Sequence, residues 1–269
     1  MADATALRRH RLVWLTAPGW ARALGGGWDE EARGCMAHWA DRRLPLVVTR
    51  QSLPAVAGSV ALGLPAPAGF GRRRLALAVG HDEIETCGEF PSLASLSAAL
   101  DGSAHGPCHR LNAALAMCGS RPRVYGSRGW QALTGLDHVH ECSDLDLLLP
   151  VADAAVADAV CEALQAVPDC LPRLDGELVF HHDVAVAWRE WQRWREDDER
   201  VRILVKRTDG VALEEGDAWH LAATIDAAND AVKVPAQAEA HAEVDVDARA
   251  AMGAVLAGEA IPVCARAAA

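Results

Sequence analysis

Lysine is nearly missing from this chain. Only Lys206 and Lys233 are lysines among 26 basic side chains, and 37 acidic ones outweigh them for a formal net charge of -11. Broad contact with a nucleic-acid backbone needs the opposite balance, so no nucleic-acid partner is expected. Long apolar runs are missing too. No stretch of about 18 apolar residues exists, so no membrane-spanning helix is expected. The basic residues near the N-terminus are not followed by a signal-peptide apolar core or cleavage site. No Cys-x-x-Cys occurs; the eight cysteines stand scattered at 35, 87, 108, 118, 142, 161, 170 and 264. That distribution suits free thiols in a reducing cytosol better than a disulfide framework, so the expected location is cytoplasmic. What is present is apolar bulk. A hydrophobic fraction of 51% over 269 residues supports a sizeable core in one large domain or two small ones.

The stretch with the most chemistry in it is Val124-Tyr125-Gly126-Ser127, followed sixteen residues after Ser127 by Ser143-Asp144-Leu145-Asp146-Leu147-Leu148-Leu149. It reads as strand, tight Gly-Ser turn, helix, and a second strand with two carboxylates. Gly126 lets the backbone come close to a ligand. Ser127 offers a hydroxyl and an N–H at a helix N-terminus, where the dipole favours phosphate. Asp144 and Asp146 are two apart, which on a strand puts both on one face. Two carboxylates held side by side repel unless a cation lies between them, and Mg²⁺ is the simplest occupant. The competing reading is a solvent-facing strand edge.

Gly-Ser, a short helix and Asp-x-Asp form the pattern of the nucleotidyltransferase superfamily. The wider run Val124-Tyr125-Gly126-Ser127-Arg128-Gly129-Trp130-Gln131-Ala132-Leu133-Thr134-Gly135-Leu136, leading into Ser143-Asp144-Leu145-Asp146-Leu147-Leu148, closely resembles the malonate decarboxylase holo-acyl-carrier-protein synthases, or phosphoribosyl-dephospho-CoA transferases. Asp175-Gly176-Glu177-Leu178, Val186-Ala187-Trp188-Arg189-Glu190-Trp191 and His10-Arg11-Leu12-Val13-Trp14-Leu15 are similar to that family as well. The resemblance covers roughly residues 8 to 215. It implies an α/β (α+β) fold in which a nucleotidyltransferase-like mixed sheet carries the site, after a small α/β domain. It implies 2′-(5″-triphosphoribosyl)-3′-dephospho-CoA as substrate, Mg²⁺ as cofactor, and as acceptor a serine on the apo acyl-carrier subunit of malonate decarboxylase, with pyrophosphate released. Two other functions fit the residues: a metal-dependent nucleotidyltransferase with a different acceptor, and a catalytically silent carrier-binding assembly protein.

A two-metal site normally takes a third acid from a neighbouring strand. Asp175 and Glu177 share one strand face and are the candidates, ahead of Asp183 and Glu190. Lys206 ends a strand as a point-charge donor suited to a triphosphate. Arg189, Arg193 and Arg195, interleaved with Trp188, Trp191 and Trp194, could dock an acidic carrier or could be one side of a mixed charged surface. His138-x-His140-x-Cys142 has a zinc-like look but lacks a fourth ligand. His181-His182 reads as a solvated turn, and Arg72-Arg73-Arg74 as either a polyphosphate contact or a solvated strand entry.

Along the chain, Leu12–Leu15 is an apolar segment ended by Pro18-Gly19, and Gly25-Gly26-Gly27 is a loop. Asp29 caps a helix running to about Ala40. Strands are expected at 46–50, 59–64 and 73–79, closing a small domain over 1–81. Residues 82–106 read as a linker with one helix, Ser92 to Leu100. The catalytic domain is expected over 107–222, with helices at 108–118 and 152–166, a hairpin around His181-His182, and a strand at 202–206 turning at Asp209-Gly210. The Ala-rich tail, 223–269, is expected to be partly helical or disordered.

Overall fold

The computed structural model describes residues 7–51, 58–98, 105–167, 171–196 and 202–215. The tail expected from residue 223, with Lys233, lies outside them. The fold is α+β, and the chain divides into two compact units.

The first unit comprises the chain through Phe90, with Leu136–His138 and Lys206–Ala212. Its sheet contains β1 (Leu12–Leu15), β2 (Leu46–Val48), β3 (Ser59–Pro65), β4 (Arg74–Gly80) and β5 (Ile84–Gly88), in the order β4-β3-β2-β1-β5. Every pairing is antiparallel. Helix α1 (Ala17–Leu24) starts under a Thr16 cap and runs through Pro18, which is tolerated in a first turn because its missing N–H would have no helical partner. The expected stop at Pro18-Gly19 is thus a helix start. Helix α2 (Glu30–Asp41) begins where expected: the Asp29 carboxylate accepts from Ala32 N–H at 2.9 Å, and Glu30 and Glu31 lie at the positive end of the dipole. Cys35, Met36 and Trp39 face the sheet fully buried, and Trp39 Nε1 donates to the Pro45 carbonyl. The boundary differs from the expected one at 81. Ile84-Glu85-Thr86-Cys87-Gly88, with few apolar side chains, is an edge strand against β1, so the first unit continues to Phe90.

Among the described residues, the second unit is built from the ranges Pro91–Gly135, Val139–Val205 and 213–215. Its helices are α3 (Leu93–Ala98), α4 (His105–Met117), α5 (Gly126–Thr134), α6 (Ala154–Gln165) and α7 (Trp188–Glu196). The second sheet has the order β11-β10-β9-β8-β7-β6, from β6 (Arg123–Val124), β7 (Leu145–Pro150), β8 (Leu174–Val179), β9 (Ala185–Ala187), β10 (Ile203–Lys206) and β11 (Val211–Glu214). The segment expected as a linker therefore holds β5 and α3 and belongs to folded units. Strand β7 lies between antiparallel β6 and parallel β8. Alternation sends Leu145, Leu147 and Leu149 into a core with Val160 and Leu164 of α6, and leaves Asp146 for the other face. The stretch read as either a carrier dock or one side of a mixed charged surface is helix α7. Trp188, Trp191 and Trp194 recur every three residues on one stripe and are buried, which leaves Arg193 outside. Truncating a buried tryptophan of this kind costs roughly 3–5 kcal/mol, so the stripe is a main anchor of the unit.

Candidate active site

The site is assembled where β6 turns into α5 beside β7. Tyr125 N–H donates to the Asp146 carbonyl at 3.0 Å and fixes the turn to the strand. The chain then enters α5 through Gly126 at φ +60, in the left-handed region. A Cβ on Gly126 would lie 1.8 Å from Asp146 Oδ2, so only glycine lets the helix start this close to the carboxylate. Tyr125 makes no side-chain cap at this end. Ser127, in the first turn, is half-buried. The first turn of α5 thus presents backbone N–H groups and a positive dipole end next to Asp146, the arrangement expected for phosphate.

The register settles which acid lies opposite Asp146. On parallel β7 and β8, Asp146 pairs with Asp175, and Leu148 with Glu177. Gly176, between the two acids, sits at φ +148 with Leu147 O only 2.0 Å from where its Cβ would be, so the strands close tightly there. Burial pushes the Asp146 carboxyl up to about 6, and the neighbouring Asp175 and Asp144 charges push the same way. Asp144 is shifted down, first of all by Arg173, whose Nε and Nη2 reach Oδ1 and Oδ2 at 3.0 and 2.5 Å. Arg173 Nη2 also lies 3.9 Å from Asp175 Oδ2. From beneath, Arg128 donates to the carbonyls of Ser143 and Asp144 at 3.2 Å. Burial lowers its pKa, while Asp146 and Asp144 oppose that shift.

The donor set of Asp144, Asp146 and Asp175 is all carboxylate oxygen, which suits a hard divalent cation. Their mutual repulsion is what such a cation would relieve. The side chains are not drawn into one shell: among the described residues no three His, Cys, Asp or Glu groups are gathered closely enough to hold a metal ion, and Arg173 takes both oxygens of Asp144.

Other candidates are dispersed. Glu177 shares the face of Asp175 but is buried at 5% exposure, farther along the strand. Lys206 ends β10, which is not a neighbour of β7 in the sheet order. Arg189 donates to Leu174 O at 3.0 Å and lies over the Trp188 ring. Arg193 and Arg195 are both exposed, but Arg195 is forked onto Asp158 of α6 at 3.2 and 2.9 Å. His138 is buried in the first unit against Trp39, and burial lowers its pKa to about 4; His140 and Cys142 are exposed in the second. His181 and His182 occupy the exposed hairpin turn. In the first unit, Arg73 pairs with Asp29 and Arg72 donates to the His138 carbonyl. Sequence reasoning missed Arg173 and Arg128. Period-two alternation from Asp175 already places Arg173 on its face, and a helix opening at Gly126 places Arg128 in its first turn.

Residues 8–90 match the phosphoribosyl-dephospho-CoA transferase MdcG N-terminal domain, and residues 92–217 match the corresponding C-terminal domain. A phosphoribosyl-dephospho-CoA transferase of Bradyrhizobium diazoefficiens is 37% identical over 206 residues, 76% of this chain and 88% of the relative. The chain belongs to the phosphoribosyl-dephospho-CoA transferase family. It is a transferase. Further family members include proteins of that name from Xanthomonas campestris pv. campestris, 34% identical over 76% of this chain and 92% of the relative, and from Xanthomonas euvesicatoria, 37% identical over 68% and 84%. No solved structure matches. The two family domains meet where the two units of the transferase divide, at Phe90 and Pro91. Among the described residues no helix is long and apolar enough to cross a membrane.

Proposed function

We propose that this transferase moves the phosphoribosyl-dephospho-CoA group from 2′-(5″-triphosphoribosyl)-3′-dephospho-CoA to a serine of the apo acyl-carrier subunit of malonate decarboxylase and releases pyrophosphate. The observation that carries this reading is the Asp144, Asp146 and Asp175 face opening directly beside the N-terminus of α5, with Gly126 against Asp146. Family membership supplies the substrate class. Carboxylates beside a phosphate-binding helix end are the parts that phosphoryl transfer to a hydroxyl requires.

Asp144 and Asp146, with Asp175 as the third acid, would hold Mg²⁺. Such an ion would supply charge to offset the triphosphate and to lower the pKa of the attacking hydroxyl. The protein's own groups do the positioning. Gly126 and Ser127 receive the leaving phosphates at the first turn of α5. Arg128 braces the start of β7 by holding the Ser143 and Asp144 carbonyls, while Tyr125 N–H holds that of Asp146. The serine Oγ attacks the α-phosphorus in line, its proton is lost, and the bond from that phosphorus to the bridging oxygen of the β-phosphate breaks. The products are a phosphodiester-linked prosthetic group and pyrophosphate, with no covalent enzyme intermediate. Exposed Arg193 is the best-placed residue of the expected basic dock for an acidic carrier.

The test is to incubate the full chain with Mg²⁺, the triphosphoribosyl substrate and apo carrier, then weigh the carrier by mass spectrometry and assay pyrophosphate. One phosphoribosyl-dephospho-CoA per carrier with equimolar pyrophosphate is expected. Transfer of a different nucleotide mass, or tight carrier binding without any adduct, refutes the proposal in favour of another acceptor chemistry or an assembly role.

A further inference from the structure

Arg173 is a cation that the carboxylate face already holds, and an ion on Asp144 would contest its place. Arg173 holds Asp144 with a two-pronged fork and reaches toward Asp175. Its side chain is 64% exposed, but its main chain is fixed, because Leu145 N–H donates to the Arg173 carbonyl at 2.9 Å. The guanidinium is therefore the movable part and its origin is not. An ion bound to Asp144 competes with the fork for the same two oxygens. A guanidinium displaced from Asp144 can turn to the phosphate oxygens of a substrate seated on the same carboxylate face. Both partners accept the same planar fork of donors.

We infer that Arg173 has two positions: it closes over Asp144 in the free protein and clamps the triphosphate once a metal ion has taken Asp144. This rests on the metal-dependent transfer proposed above. In the first position Arg173 neutralises Asp144 and reaches toward Asp175 without an ion. In the second its charge meets the phosphates that become pyrophosphate. The residue thus couples ion binding to substrate binding, with each favouring release of the fork.

Two readouts on the full chain test this: Mn²⁺ affinity without substrate, by titration with paramagnetic detection, and KM for the triphosphoribosyl substrate. Arg173→Ala removes the competitor and should tighten Mn²⁺ binding about two- to fivefold, the scale of an exposed ion pair. The same variant should raise the substrate KM about tenfold or more, the scale of a lost charge-assisted hydrogen bond. Arg173→Lys keeps charge without the fork and should recover part of the KM loss. A melting curve close to wild type confirms that these shifts are local. Unchanged or weaker Mn²⁺ binding in Arg173→Ala, or an unchanged KM, overturns the inference while leaving the transfer reading intact. Failure of the wild-type protein to bind Mn²⁺, or equal binding by Asp144→Asn, overturns both.

Discussion

Replacing Gly126 with alanine separates two effects that usually arrive together. The first is backbone strain. At φ +60 an L-residue costs roughly 1–2 kcal/mol relative to glycine, which lowers Tm by about 2–8 °C in a protein of this size. The second is displacement of the acid. The new methyl would start 1.8 Å from Asp146 Oδ2, and contacts under 3.0 Å are essentially never seen, so the carboxylate must retreat by about 1.2 Å or more. A displacement of that size at a reacting centre costs on the order of 100-fold in rate. The displacement therefore dominates activity, and the strain dominates stability. Gly119 supplies the control, because it has φ +84 and nothing within 4 Å of its would-be Cβ. Gly119→Ala should lose similar stability and keep its rate. Steady-state transfer and thermal melts on both variants decide the matter. If Gly126→Ala turns over as fast as Gly119→Ala, the α5 turn does not press on a working carboxylate, and the site has been wrongly placed.

The remaining predictions use the same assays. Asp144→Asn, Asp146→Asn and Asp175→Asn should each remove most activity and leave a cooperative fold, whereas Glu177→Gln, buried farther along β8, should act mainly on stability; full activity in Asp175→Asn would exclude it as the third acid. His138 has its pKa lowered by burial to about 4 from an ordinary 6.5, so the fold keeps it neutral. Its contribution, on the order of 3 kcal/mol, is fully present above about pH 6.5 and lost as pH falls toward 4. His138→Phe should flatten that part of the Tm profile, and an unchanged profile would show that another group is responsible. Arg193→Glu should raise KM for the carrier and weaken the salt dependence of transfer without changing KM for the small substrate. Arg195→Glu should instead lower Tm, because it sets two acids together at Asp158; loss of carrier affinity in the Arg195 variant alone would reverse the two assignments.

The parts of this site that were legible in the sequence are those where one residue type is forced by geometry. Gly126 is such a place, since the turn tolerates no side chain. Asp146 is another, because a carboxylate amid Leu145, Leu147, Leu148 and Leu149 can face only one side of a strand. A helix bracketed by a cap, such as α2 behind Asp29, was readable for the same reason. Strand β5 was not readable. An edge strand buries little, so Glu85 and Thr86 can stay exposed and the alternating signal vanishes. Helix α7 was obscured in another way: its arginines and glutamates dominate the composition, while its three tryptophans carry the fold.

The choice between Asp175 and Glu177 shows what sequence leaves out. Alternation puts both on one face, and nothing local ranks them. Their difference is set by register, a property of two strands together. Parallel pairing aligns Asp175 with Asp146 and Glu177 with Leu148, one step deeper into buried structure. A slip of two residues along β8 would keep every side chain on its present face and exchange the roles of the two acids. Gly176 opposes that slip. It occupies the point where β8 lies closest to Leu147, at a backbone angle that other residues rarely adopt, so a two-residue shift would bring Leu174 or Leu178 to a position with no room for a Cβ. The glycine between the two candidate acids is thus the residue that sets which of them lies opposite Asp146.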